Sequence, residues 1–211
     1  MEIIPAILTD SSVKFKDLVL RLEPYSQRIH LDIADGIFVP NKTITGYEEI
    51  KGIESASKFD VHLMVVEPAK YLKEWLYTHA DRFIIHVESQ GDLPALIDEL
   101  RKNNRKVGLA LNPETSTEKL ENYLDKIDFV QFMTVHPGFQ GAEFVKEVVD
   151  KIASFHSKYP DIIIMSDGGI TPETGPALVK AGVSELVSGS YVIKNPDVQK
   201  ALEELKNSCT I

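Results

Sequence analysis

Short apolar runs alternate with amphipathic stretches along the whole chain. The strand-like runs fall near 2–7, 28–33, 58–65, 82–87, 106–111, 128–134, 161–166 and 185–188. Between them, apolar positions recur at helical spacing and predict helices near 12–23, 46–54, 68–78, 92–103, 115–123, 143–157, 173–181 and 196–206. Glu67-Pro68, Asn112-Pro113 and Thr171-Pro172 place proline at or near first helical turns, where its missing N–H costs nothing. Gly182 follows Ala181, the usual place for a glycine that ends a helix.

Eight alternations of strand and helix argue for parallel βαβ units, and eight is the number that closes a ring. The expected fold class is α/β: a single (β/α)8 TIM barrel with a parallel eight-stranded core, one domain over residues 1–211. The rival is an open doubly wound sheet, but no GxGxxG follows the first strand, so the usual dinucleotide fingerprint is missing.

With 43% hydrophobic and 26% charged residues among 211, the composition suits a sizeable core. No apolar run approaches about eighteen residues, so no membrane partner is expected. The start, MEIIPAIL, enters an apolar strand without a basic leader, and a cytoplasmic setting follows as the default. A net charge of −9 without any basic block disfavours nucleic acid. It does not disfavour an anionic small molecule bound through backbone N–H groups. The single cysteine, Cys209, can form no internal disulfide and reads as a frayed tail thiol.

The chemistry lies at strand ends. His30 and Asp32 are two apart in RIHLDI, so strand alternation turns both to one face. His62 in FDVHLMV and Asp167 after DIIIMS fall near the ends of two further strands. Active sites of this fold lie at those ends. Four inward polar side chains are costly to bury unless something satisfies them, and one metal satisfies them all. Two imidazoles and two carboxylates suit one divalent cation: Zn²⁺, Fe²⁺, Mn²⁺ or Co²⁺. Two of those ligands are also acids able to move protons.

Six blocks, HLDIADGIFVPN (30–41), DVHLM (60–64), LNP (111–113), MTVHPGF (133–139), SDGGI (166–170) and SGS (188–190), together resemble the ribulose-phosphate 3-epimerase family. The resemblance covers essentially the whole chain. It implies a metal-dependent epimerase that interconverts D-ribulose 5-phosphate and D-xylulose 5-phosphate through a metal-stabilised enediolate. By the resemblance, His30, Asp32, His62 and Asp167 are the metal ligands and Asp32 and Asp167 the acid–base pair. Inverting a carbon beside a ketone needs a proton removed from one face and another delivered to the opposite face, which two carboxylates can do. Substrate contacts are expected from His62, Met64, Met133 and Asp167. Phosphate contacts are expected from the glycine loops Gly138-Phe139-Gln140-Gly141, Gly168-Gly169 and Gly189-Ser190. Family members form homo-oligomers, so one is expected here. His86, Glu88 and Asn112 read as floor or supporting residues, His136 as a loop residue near substrate, His79 and His156 as surface, and Trp75 as packing.

The rim departs from the family pattern. Ala6 follows Pro5 where the family usually has serine, and Ala34 and Ile37 replace the usual methionine and the frequent histidine. The phosphate loop continues Gln140-Gly141-Ala142-Glu143 instead of Gly-Gly-Gln. Alternative readings are an epimerase of a ketohexose 6-phosphate such as allulose 6-phosphate, or a non-catalytic barrel that binds sugar phosphate or metal. Aldolase and decarboxylase relatives characteristically carry Asp-x-Lys at a strand end; here the stretch is Asp32-Ile33-Ala34.

Overall fold

The computed structural model describes residues 1–138 and 141–210. Eight parallel strands close in chain order into a barrel. They are β1 (Glu2–Ile7), β2 (Arg28–Ala34), β3 (Lys58–Met64), β4 (Arg82–His86), β5 (Lys106–Leu111), β6 (Phe129–Met133), β7 (Ile163–Asp167) and β8 (Glu185–Ser188). β8 pairs back onto β1, with Glu2 opposite Glu185 and Pro5 opposite Ser188. Each of these strands lies within three residues of its expected bounds, and the ring is the (β/α)8 barrel that the alternation predicted.

The outer layer consists of α1 (Ser12–Leu22), α2 (Tyr47–Lys51), α3 (Ala69–Trp75), α4 (Leu93–Lys102), α5 (Glu147–Lys158), α6 (Gly175–Lys180), α7 (Ser190–Lys194) and α8 (Val198–Ser208). Several begin where a side chain can accept an orphan N–H. Ser11 accepts from Lys14, Asp92 from Ala95 and Asp197 from Lys200. The helix expected near 115–123 is only a 3₁₀ turn at Thr117–Leu120, and the short α7 after β8 was not expected. Cys209 also departs from its reading: it is 2% exposed, with Sγ packed against Gly175. A Cβ on Gly175 would lie 2.5 Å from that sulfur, so Cys209 is docked at the end of α8 rather than frayed.

Alternation divides each strand between two cores. Outward residues such as Ile29, Leu31, Ile33, Val61 and Leu63 join the shell between sheet and helices, where Trp75 is fully buried. Each fully buried side chain of this size contributes about 1.5–3 kcal/mol. Inside the ring, Ile4, Ala6, Ile84, Ala110, Phe129, Met165 and Val187 form a separate cluster. The bottom of the ring is closed by charge. Arg82 donates to Asp60 and, across the barrel, to Glu185 at 2.8 and 2.9 Å, while its guanidinium lies 4.7 Å from the Phe129 ring centroid. Arg28 shares Asp60 and also reaches Asp81. Gly108 makes room for Phe129, since a Cβ there would lie 2.3 Å from the ring. With one end plugged, the polar inward residues of the other end are left to form a site.

Candidate active site

Strand register assembles the quartet. β2 and β3 pair so that Asp32 lies opposite His62, and β6 and β7 pair so that Met133 lies opposite Asp167. One ligand atom from each of His30, Asp32, His62 and Asp167 lies within 4.8 Å of the others. His62 Nδ1 is 2.9 Å from Asp32 Oδ1 and 3.4 Å from Asp167 Oδ2. His30 Nε2 is 3.4 Å from Asp32 Oδ1 and 3.7 Å from Asp167 Oδ2.

These groups lie in a dry place, with both imidazoles fully buried. Burial alone would depress the His62 pKa, but hydrogen bonds and charge from Asp167 and Asp32 override it and hold the imidazole up at about 9. Burial would likewise raise Asp32, yet His30 and His62 keep its carboxyl well below the ordinary carboxylate range. Neither ring nitrogen of His30 makes a hydrogen bond among the described residues. A buried imidazole with two orphan nitrogens is expensive, and ligating a cation through one of them removes part of that cost. Two nitrogen and two oxygen donors converging at this spacing fit a divalent metal.

Behind the quartet lies a second layer of polar residues. His62 Nε2 is 2.9 Å from His86 Nε2, and His86 Nδ1 is 3.1 Å from Glu88 Oε2. Glu88 Oε1 accepts the backbone N–H of Asn112 at 2.9 Å. Burial would raise the Glu88 pKa, but the bond and charge of His86, with bonds from Thr115 and Asn112, hold it at about 2; burial pushes His86 down. Gln131 donates to Asp167 Oδ2 at 3.1 Å and to Met133 Sδ at 3.4 Å. The sequence reading missed Gln131, although a signal was present. In FVQFM it is the one polar residue at an inward position, two before Met133.

The pocket above runs from Asp32 and Asp167 past Met64 and Met133 to Gly138, Gly141, Gly168, Gly169, Gly189 and Ser190. Ala6 lines it and Ile170 closes one side. Gly168 has φ +109°, and a Cβ there would meet Val135 Cγ2 at 2.3 Å, so this turn requires glycine. Ser190 opens α7, and the Lys194 ammonium at the other end of that helix lies 4.0 Å from where a Gly141 Cβ would stand. Phe139 and Gln140, expected in the phosphate loop, lie outside the described residues. Asp35 accepts from the N–H groups of Ile37, Phe38 and Val66, which fixes the loop after β2 and sets Phe38 4.7 Å from the His86 ring. Ile37 points outward, 79% exposed. His136 is exposed and pairs with Glu114 at 2.6 Å, outside the residues that line the pocket. His79 is exposed, whereas His156 is half-buried against Gly182.

Comparison with known proteins agrees with this geometry. A sequence model of the ribulose-phosphate 3 epimerase family matches residues 2–193. The ribulose-phosphate 3-epimerase of Bacillus subtilis (strain 168) is 36% identical over 187 residues, covering 85% of this chain and 86% of that protein. That of Schizosaccharomyces pombe is 32% identical over 213 residues, covering 98% and 93%. Among solved structures, a 3-hexulose-6-phosphate synthase superposes with a TM-score of 0.70 at 15% identity, each chain fully covered. Orotidine 5'-monophosphate decarboxylase from Sulfolobus solfataricus gives 0.67 at 14%, covering 99% of this chain and 97% of that one. At these identities the two structures speak for the fold alone.

Proposed function

Because the chain belongs to the ribulose-phosphate 3-epimerase family, we propose that it is an isomerase that moves a proton at C3 and so interconverts D-ribulose 5-phosphate and D-xylulose 5-phosphate. The observation that carries the mechanism is the meeting of Asp32 and Asp167, from strands three places apart around the closed ring, over one pair of buried imidazoles. With a ketose between them, one carboxylate takes the C3 proton from one face while the other, carrying a proton, delivers it to the opposite face. Running backwards, the two exchange roles. Positioned acid–base groups of this kind contribute roughly 10²–10⁴-fold each.

His30, Asp32, His62 and Asp167 would hold the metal: Zn²⁺, Fe²⁺, Mn²⁺ or Co²⁺. When bound, that cation supplies positive charge against the oxygens of the deprotonated ketose. Gln131 holds one oxygen of Asp167 and so orients the carboxylate. Met64 and Met133 wall off water with a soft apolar surface. The phosphate would go to the N–H groups of the Gly138–Gly141, Gly168–Gly169 and Gly189–Ser190 loops, with the Ser190 hydroxyl and the Lys194 charge nearby. The proposal covers one catalytic barrel over residues 1–211, acting as a homo-oligomer in the cytoplasm. No helix among the described residues is long and apolar enough to cross a membrane.

The small side chain of Ala6 in the pocket wall favours one variant, turnover of a ketohexose 6-phosphate such as allulose 6-phosphate. The test is incubation of metal-reconstituted protein with D-ribulose 5-phosphate in ²H₂O, with C3 followed by NMR. Deuterium at C3 in both epimers, abolished in Asp32→Asn and in Asp167→Asn, is the expected result. No exchange with any pentulose or hexulose phosphate would sink the enzyme reading.

A further inference from the structure

Hydrogen-bond polarity runs in one direction through the layer behind the quartet, and its starting point is a carboxylate. Held at about 2, Glu88 is ionised at neutral pH and can only accept. Its Oε1 is occupied by the Asn112 N–H, and its Oε2 faces His86 Nδ1 at 3.1 Å. The proton of that contact therefore lies on His86 Nδ1. A neutral imidazole protonated there carries its lone pair on Nε2. That lone pair meets His62 Nε2 at 2.9 Å, where two nitrogens can share only one hydrogen, so the hydrogen must come from His62. With ring centroids 5.0 Å apart and planes within 20°, the two rings meet edge to edge along this contact. Phe38 covers the His86 ring, and both histidines are fully buried, so water does not compete. Gln131 Nε2 is 3.3 Å from His62 Nε2, but its protons face Asp167 Oδ2 and Met133 Sδ.

We propose that Glu88, acting through His86, keeps a proton on Nε2 of His62, so that Nδ1, the atom facing Asp32 and Asp167, is the nitrogen that exchanges its proton for a divalent cation. Glu88 and His86 are positioning residues: neither belongs to the quartet, and their effect is on which nitrogen of His62 is open. The inference rests on the metal reading of the quartet. It also explains a sequence feature, since His86 and Glu88 are two apart at the end of β4 although neither belongs to the quartet.

Glu88→Gln is the diagnostic substitution because it keeps shape and reverses polarity. The Asn112 N–H claims the amide oxygen, which turns the amide N–H towards His86 Nδ1. His86 then carries its proton on Nε2 and donates to His62 Nε2, so His62 keeps its one proton on Nδ1 and cannot exchange it for the cation without becoming an anion. Two measurements separate the outcomes. The ¹⁵N NMR spectrum of metal-free wild-type protein should show His86 protonated on Nδ1, with a scalar coupling between the two Nε2 atoms. Zinc affinity, measured against a competing chelator, should weaken 10- to 100-fold in Glu88→Gln, while the metal-free thermal transition shows that the variant is folded. If wild-type protein binds no zinc, the metal reading falls and this proposal falls with it. If wild-type protein binds zinc but His86 carries its proton on Nε2, the relay is wrong. Glu88→Gln affinity within about twofold of wild type would refute it equally.

Discussion

Raising the pH of the metal-free protein strips His62 of the proton it shares with two carboxylates, and the cost can be worked out from the site. The ordinary imidazole value is 6.5 and the folded chain holds His62 at about 9. A folded-state pKa above the unfolded one stabilises fully below 6.5, and the contribution is lost as pH rises through about 9. At about 1.4 kcal/mol per pH unit, the loss is about 3 kcal/mol. The ring is fully buried, so solvent screening takes little from this figure. The depressed Asp32 carboxyl is the other half of the same ion pair and is counted once; its own contribution is present above 3.8 and lost on acidification. Denaturant unfolding of metal-free protein from about pH 6 to about pH 10, with His62→Gln as the background, gives the difference profile. A decline of about 3 kcal/mol centred between 6.5 and 9 is expected. Because a metal must replace the same proton, its affinity should strengthen about tenfold per pH unit between about 7 and 9. A flat stability difference, or an affinity indifferent to pH, would refute the ion-paired imidazolium.

Gly168→Ala should cost about 2–4 kcal/mol from positive-φ strain plus the collision with Val135. It should also raise KM more than it lowers kcat; denaturant unfolding and steady-state kinetics check both. Asp60→Leu leaves Arg28 and Arg82 without their shared carboxylate and should destabilise by about 3–5 kcal/mol, visible in chemical unfolding. Ala6→Ser adds a hydroxyl to the pocket wall beside Asp32 and should raise kcat/KM up to about fivefold. A lower value in kinetics would mean that the new hydroxyl finds no partner there.

The strands and the quartet were legible for the same reason. Parity along a strand determines which side chains share the barrel interior, so the spacing of His30 and Asp32 already put both inside. Neighbouring strand ends did the rest. Turn detail was less accessible. Over 115–123 the apolar spacing suits a helix, but successive bonds from Lys119 to Ser116, Glu121 to Glu118 and Tyr123 to Leu120 close it as three-residue turns. So short a window cannot separate periods of 3 and 3.6. The five-residue α7 is below the length at which amphipathicity can be read. Cys209 is buried by a partner 34 positions earlier, Gly175, which local pattern does not reveal. Gln131 was hidden by an otherwise apolar strand. The direction of the Glu88–His86–His62 chain appears only with distances, because sequence gives residue types but not which nitrogen meets which.

The charge plug under the barrel bears on how the chain is made. Arg82 and Glu185 are 103 residues apart, so at about 5–20 residues per second Arg82 is synthesised about 5–20 s ahead of its partner. Throughout that interval β1 also lacks β8, leaving an apolar edge unpaired. A nascent chain stopped before residue 185 would therefore have an open sheet with a guanidinium at its centre only partly neutralised by Asp60. Ring closure waits until β8 has been made, and throughout that wait the growing polypeptide carries exposed strand edges of the kind that favour aggregation.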